Sequence, residues 1–367
     1  MNVIVFSSVR WNFMWQRHHA IATTLASAGH KVVFVEPHPR GVKHVANWLA
    51  SKAKKRIRRT KQGPGMSHKV PNGIEIISWS PFQFVRQLIN LSSPRTQSRS
   101  GDLLVVAYLP SMTTRRAIER LSPDFLIYDS VLDWSAVPKS FFPPADFSSF
   151  EKWVSRLARS NQALITTDSA VVAGRYLVEK TECHVVYPAA DEEFRTFPAT
   201  SGNRAGIERD VLGYFGSVRY DEIDVEKINE LAMSYEVRIA GELDDEATRK
   251  LSSEVAFLGP MELPDLVRQI ALWDGIILPY RESARSKTLM PAKIWNAVAT
   301  GLPLYASHLT VPPELVHHFE DIATLHSSDA SRVNGKGTKP LRDVPTWEMR
   351  VGGMLNLLED RGRYGHK

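Results

Sequence analysis

One cysteine, Cys183, occurs in 367 residues, which excludes an internal disulfide and any zinc cluster built on several thiolates. Long apolar runs are missing too: none approaches the roughly 18 residues that a membrane-spanning helix needs. The run Val3 to Phe6 is too short for a signal-peptide core and has no basic leader, so the cytoplasm is the expected location. Acidic residues are absent from Pro37 to Ile74, in a chain where Lys+Arg number 46 and Asp+Glu 40. The formal charge of +6 favours anionic partners: phosphates, an acidic membrane or nucleic acid. The length exceeds one ordinary core, and 43% hydrophobic with 23% charged residues fits globular folding, so two domains are expected.

What is present is a repeated βα pattern. Asn2-Val-Ile-Val-Phe-Ser-Ser8 reads as a buried parallel strand, His18 to Ala28 as a helix closed by Gly29, and Lys31 to Glu36 as the next strand. Further strands are expected at Ile74–Ile77, Leu103–Ala107, Phe125–Tyr128, Ala163–Thr167 and Cys183–Tyr187, with helices at Phe150–Ser160 and Ser169–Lys180. The polar segment Ala190 to Arg209 reads as a linker. Beyond it the pattern starts again, with strands at Val211–Phe215, Val237–Ala240, Val255–Leu258, Gly275–Leu278 and Leu304–Ala306. Helices fall at Val225–Tyr235 and Leu263–Trp273. Pro345 to Glu359 reads as a final amphipathic helix, although Gly352 and Gly353 weaken it. The class is α/β, with the wound-sheet logic used twice.

The stretch Trp273 to Ser307 carries the strongest chemical signal. It reads as buried strand, basic loop (Arg281, Arg285, Lys287), helix, Gly-Leu-Pro turn and strand. A positive loop that feeds a helix N-terminus is suited to hold phosphates. Lys293 stands near that helix start, where an ammonium can pair with a departing diphosphate; a solvated surface lysine is the plainer reading. Gly213-Tyr-Phe-Gly-Ser-Val-Arg219 follows a strand, and such glycines let backbone amides approach phosphate oxygens; an ordinary βα turn is the alternative. Tyr280 sits at a strand end, against a donor or simply half-buried. In the first half, Arg10, Gln16, Arg17 and His18 surround the first loop, as contacts for acceptor or donor phosphates or as helix-start polarity. Asp129 and Asp133 follow the Phe125 strand, each a candidate general base or a helix-capping carboxylate. Trp134 can stack on a sugar or pack under its loop.

Taken in order, Trp11-Asn-Phe-Met-Trp-Gln-Arg-His18, Gly29 to Pro37, Leu126 to Trp134, Leu212-Gly-Tyr-Phe-Gly-Ser217, Phe257-Leu-Gly-Pro-Met261 and Leu278 to Ala306 resemble GT-B glycosyltransferases of bacterial surface polysaccharide assembly. The chain looks closest to teichuronic-acid-type transferases, and its donor motifs are similar to those of the xanthan glucuronosyltransferase. The resemblance covers nearly the whole chain. It implies two Rossmann-like domains facing across a cleft: residues 1–200 for the acceptor, 206–335 for the nucleotide-sugar donor, and a last helix, 345–367, packing back on the first domain. It implies a UDP-linked donor most readily, a lipid-linked saccharide acceptor, and no bound metal or other cofactor, because basic side chains and helix dipoles neutralise the diphosphate. By similarity, Gly216, Ser217 and Val218 lie beside the diphosphate, Met261 against the nucleobase, and Tyr280, Arg281 and Lys293 around the donor. Many relatives carry a glutamate for the ribose where this chain has Asn296, and often an earlier one where it has Thr288. Asp133 aligns, within one residue, with the base of the xanthan-type enzyme. If the reaction inverts, Asp133 takes the acceptor proton and Asp129 is its competitor.

The basic stretch Lys43 to Lys61 has two readings. It is a solvated loop, or an interfacial helix that inserts Trp48 and lays Lys52, Lys55, Arg56 and Arg59 on anionic headgroups of the inner membrane face. Nucleic acid is not expected, because no stacking aromatics are interleaved and no known module accompanies the run. Two rival functions share the fold class: a sugar-nucleotide 2-epimerase, and a non-catalytic nucleotide- or glycan-binding subunit.

Overall fold

Short strands that are buried along nearly their whole length need cover on both faces, and parallel α/β layers supply it. A computed structural model describes residues 1–37, 68–78, 101–134, 144–197, 209–283, 286–288, 290–325, 333 and 344–364. The chain divides into two compact units, Met1–Val186 with Val351–Lys367, and Tyr187–Arg350.

The first unit holds β1 (Asn2–Phe6), α1 (Arg17–Ser27), β2 (Lys31–Val35), β3 (Ile74–Ile77), β4 (Leu103–Ala107), α2 (Met112–Leu121), β5 (Phe125–Asp129), α3 (Pro144–Arg159), β6 (Leu164–Thr167), α4 (Ala170–Val178) and β7 (His184–Val185). Its 7-stranded sheet runs β3-β2-β1-β4-β5-β6-β7, and every pairing is parallel. Central β4 is buried at all positions. Local chemistry sets the ends of the helices. Ser111 accepts from the Thr114 amide (3.0 Å) to start α2, and Ser169 starts α4 in the same way. Gly29 lies at φ 84, the left-handed conformation that stops α1 where the sequence predicts.

The second unit holds α5 (Glu192–Arg195), β8 (Val211–Phe215), α6 (Val225–Leu231), β9 (Glu236–Ala240), α7 (Asp245–Lys250), β10 (Ala256–Gly259), α8 (Leu263–Ile270), β11 (Gly275–Pro279), α9 (Lys293–Thr300), β12 (Leu304–Ser307) and β13 (Phe319–Asp321). Its 6-stranded sheet runs β10-β9-β8-β11-β12-β13, also all parallel. The last helix, α10 (Trp347–Tyr364), begins in this unit and continues into the segment that belongs to the first. Its Arg361 donates to the Ala163 carbonyl.

The break at Val186–Tyr187 precedes the stretch read as a linker. The reason is Phe194 of α5, which is buried in the second core and stacked on Phe215 at 5.6 Å. Helix α2, α7 and edge strand β13 carry too few apolar residues to stand out in the sequence. Gly352 and Gly353 lie inside α10 with open space around them, so burial of Val351, Met354 and Leu358 sustains the helix there. Among the described residues, no helix is long and apolar enough to cross a membrane.

Candidate active site

Where strand order reverses in a parallel sheet, the carboxyl ends of two neighbouring strands leave a crevice. In the second unit that point lies between β8 and β11. Lys293, the first residue of α9, reaches it. Its Nζ donates to Tyr214 Oη (2.7 Å), which donates to the Ser217 carbonyl (2.7 Å). The ammonium lies over the Tyr214 ring at 4.2 Å and 5.9 Å from the centre of the Tyr280 ring. It also packs against Gly216, whose φ of 117 already requires glycine; a Cβ there would stand 2.5 Å from Nζ. Burial pulls the Lys293 amine down from 10.5 to about 7, against the attraction of Glu222.

The other described basic residues of the loop are engaged within the protein. Arg281 donates to the Tyr220 carbonyl (3.0 Å) and the Ile223 carbonyl (3.2 Å), pairs with Glu226 and lies over the Tyr220 ring. Lys287 pairs with Glu282 at 3.0 Å, and Arg285 lies outside the described residues. Among the described residues Lys293 has no carboxylate within ion-pair reach. Of the three backbone amides read as phosphate donors, Gly216 donates to Ala240 (2.8 Å) and Val218 to Glu242 (2.8 Å). The Ser217 amide makes no such bond among the described residues. Met261 is half-buried at the edge of the second core.

Asn296 is tied inward. Its side-chain oxygen accepts from the Asp191 amide (2.8 Å), and its amide nitrogen donates to the Asp191 carboxylate (2.9 Å). The other oxygen of Asp191 accepts from the Trp347 indole at 2.8 Å. A glutamate at 296 would set a carboxylate against Asp191, which gives the asparagine here a physical cause. Tyr214 and Asp191 were not singled out by the sequence reading. Strand alternation alone does not say that a tyrosine will lie under a lysine seventy-nine positions away.

In the first unit the reversal falls between β1 and β4, and His18 occupies it. Its Nε2 is hydrogen bonded to Ser8 Oγ (3.1 Å), and its ring lies 4.1 Å from that of Tyr108. Burial, then His19 and Arg17, hold it well below its ordinary value, so it is neutral at pH 7. Arg17 pairs with fully buried Asp168. Arg10 is exposed, with its carbonyl accepting from His19 Nε2 at 3.1 Å. Glu36 accepts from the Trp11 amide (2.8 Å) and so fixes the first loop. Asp129 is fully buried and accepts from Thr166 Oγ1 at 2.9 Å. Trp134 is buried against Leu109 and Phe147.

Asp133 pairs with Arg175 of α4, whose other guanidinium nitrogen stands 3.9 Å from Glu151 of α3. Glu151 accepts from the Tyr176 hydroxyl at 2.8 Å. Burial first, then Asp133 and Glu179, push the Glu151 carboxyl up to about 7. Sequence reading missed Glu151 and Arg175, because three separate elements bring them to Asp133. Trp48, Lys52, Lys55, Arg56 and Arg59 lie outside the described residues.

No protein-family model matches the chain, and no curated protein matches it in sequence. Solved structures do match over its whole length. The HepE protein of Anabaena, solved with UDP and glucose, is 14% identical with a TM-score of 0.55, covering 99% of this chain and 98% of its own. A glycosyltransferase of Rickettsia africae is 11% identical with a TM-score of 0.55, covering 98% of each. Sucrose-phosphate synthase of Thermosynechococcus elongatus is 12% identical with a TM-score of 0.51, covering 100% of this chain and 97% of its own. At these identities the likeness is one of fold: two Rossmann-like parallel sheets of the GT-B type.

Proposed function

We propose that the protein is a glycosyltransferase that moves a sugar from a nucleoside diphosphate donor, UDP-linked, to a lipid-linked saccharide in surface polysaccharide assembly. One observation carries the reading: at the strand reversal of the second unit, Lys293 stands beside Gly216 and the Ser217 amide without a carboxylate partner among the described residues. An amine so placed becomes an ammonium when a diphosphate arrives, and it holds the charge that develops as the sugar bond breaks. In this reading the ammonium, the Ser217 amide and the start of α9 do the work of a divalent cation, so no metal is required. Likeness to UDP-utilising folds supports the donor class.

The first unit takes the acceptor. In an inverting reaction Asp133 accepts the hydroxyl proton, and neutral His18 with Ser8 offers hydrogen bonds to the saccharide. The basic stretch 43–61 holds the protein on the anionic inner face of the membrane, where a lipid-linked acceptor resides. The test is calorimetry with UDP, GDP, dTDP and ADP in the presence of a chelator, followed by turnover with the matching donor sugars. One diphosphate binds, and Lys293→Ala loses about 1.5–3 kcal/mol of that affinity, the worth of a hydrogen bond to a charged group. Full turnover by a folded Lys293→Ala protein refutes the assignment.

A further inference from the structure

We infer that Glu151 governs how Arg175 is shared with Asp133, and so acts as a positioning residue for the proton acceptor of the first unit. The inference rests on the proposed role of Asp133; the charge sharing itself does not. Three elements build the arrangement. The loop after β5 supplies Asp133, α4 supplies Arg175 and Tyr176 in succession, and α3 supplies Glu151. The Arg175 guanidinium stands between two carboxylates, in ion-pair contact with Asp133 and 3.9 Å from Glu151. The Tyr176 hydroxyl donates to Glu151 (2.8 Å) and lies 3.2 Å from Ser130 Oγ, which holds the glutamate in place.

Among the described residues, the groups that face Glu151 are Arg175 and Tyr176 from α4, Glu179 just after it, Asp133 from the loop, Tyr128 from β5 and Cys183 before β7. Only Arg175 is cationic, so two ionised carboxylates would share one guanidinium in a largely buried place. Burial keeps both tyrosines well above 10 and the thiol at about 12, so they hold their protons while Glu151 changes charge near pH 7. With Glu151 protonated, Arg175 belongs to Asp133 and neutralises it. With Glu151 ionised, the guanidinium is divided, and Asp133 presents a less compensated carboxylate to an acceptor hydroxyl. No covalent step is added; a proton leaves Glu151 for solvent as the pH rises.

The decisive experiment is a carboxyl-13C titration of glutamate-labelled protein, with the pH profile of sugar transfer measured beside it. A Glu151 resonance titrating near pH 7 is expected. It should move down in Asp133→Asn, where the repelling neighbour is gone, and up in Arg175→Met. The profile of kcat should rise through the same pH. Glu151→Gln, isosteric and fixed in the neutral form, should flatten it, leaving a deficit of about tenfold or more at pH 8 with KM unchanged, the ratio of ionised Glu151 at pH 8 to that at pH 6. A titration absent near pH 7, or indifferent to both neighbours, overturns the inference whatever the enzyme does. An active Asp133→Asn beside a dead Glu151→Gln also overturns it, by making Glu151 the proton acceptor. A coupled titration in a protein that transfers no sugar refutes the proposed reaction and leaves the shared guanidinium standing.

Discussion

Binding of a diphosphate to the second unit should consume a proton, and its strength should fall with rising pH. The amine of Lys293 titrates at about 7 in the unliganded protein, because burial outweighs the distant Glu222. A diphosphate beside it favours the ammonium, and the second ionisation of a phosphate, near pH 6, is about nine-tenths complete at pH 7. Binding that requires the charged amine therefore meets no penalty from the amine below pH 6. It falls about tenfold per unit above pH 7, or about fiftyfold between pH 7 and 9, as the unliganded amine gives up its proton. The folding linkage has the opposite slope. The unfolded chain binds the extra proton between about 7 and 10.5, so this group's share of stability increases as pH rises through that window. Calorimetry with UDP in two buffers of different ionisation enthalpy reads the uptake directly: about half a proton per ligand at pH 7 and about nine-tenths at pH 8. Lys293→Arg, whose guanidinium stays charged throughout, should bind without the pH slope. An affinity flat from pH 6 to 9, with the same heat in both buffers, would refute the reasoning.

Other outcomes follow from neighbouring contacts. Gly216→Ala places a Cβ against Lys293 Nζ at a φ of 117, so the protein should fold with about 1–3 kcal/mol less stability and bind UDP more weakly; unchanged affinity would show that the amine is not the ligand. Asn296→Glu should lower Tm through repulsion by Asp191 and give no gain in nucleotide affinity. Asn296→Ala should cost about 1–3 kcal/mol for the bonds left unmade, read by denaturant melts. Adding Asp191→Asn to Asn296→Glu should recover most of the loss.

Apart from edge strand β13, the strands of both units stand where alternation and apolar runs place them, because a buried parallel strand advertises itself in four or five consecutive residues. The helix that begins at Lys293 is legible for a similar reason: its start and the Gly-Leu-Pro turn after it are local features. Elsewhere the chemistry depends on partners far apart in the chain. Arg281 reads as part of a phosphate-binding loop until Glu226, fifty-five positions away, is seen to hold it. Asn296 reads as a ribose ligand until Asp191 is seen to take both its polar atoms. Glu151 is silent in sequence, since nothing in α3 announces that Asp133 and Arg175 will stand beside it. Spacing records what a helix or strand does alone; the match of one charge to another is made only when the sheet is wound.

The bonds around Asp191 have a consequence for how the second unit is joined into the chain. The polypeptide enters it at Tyr187 and leaves it at Arg350, and these two ends lie together: Arg350 donates to the Tyr187 carbonyl (2.6 Å), the Ala190 amide to Pro345 (3.1 Å), and Trp347 to Asp191. The second unit is thus an insert with a single seam, stitched shut from within. A gene segment that encodes 187–350 could be lifted out or exchanged for another α/β module without opening either sheet.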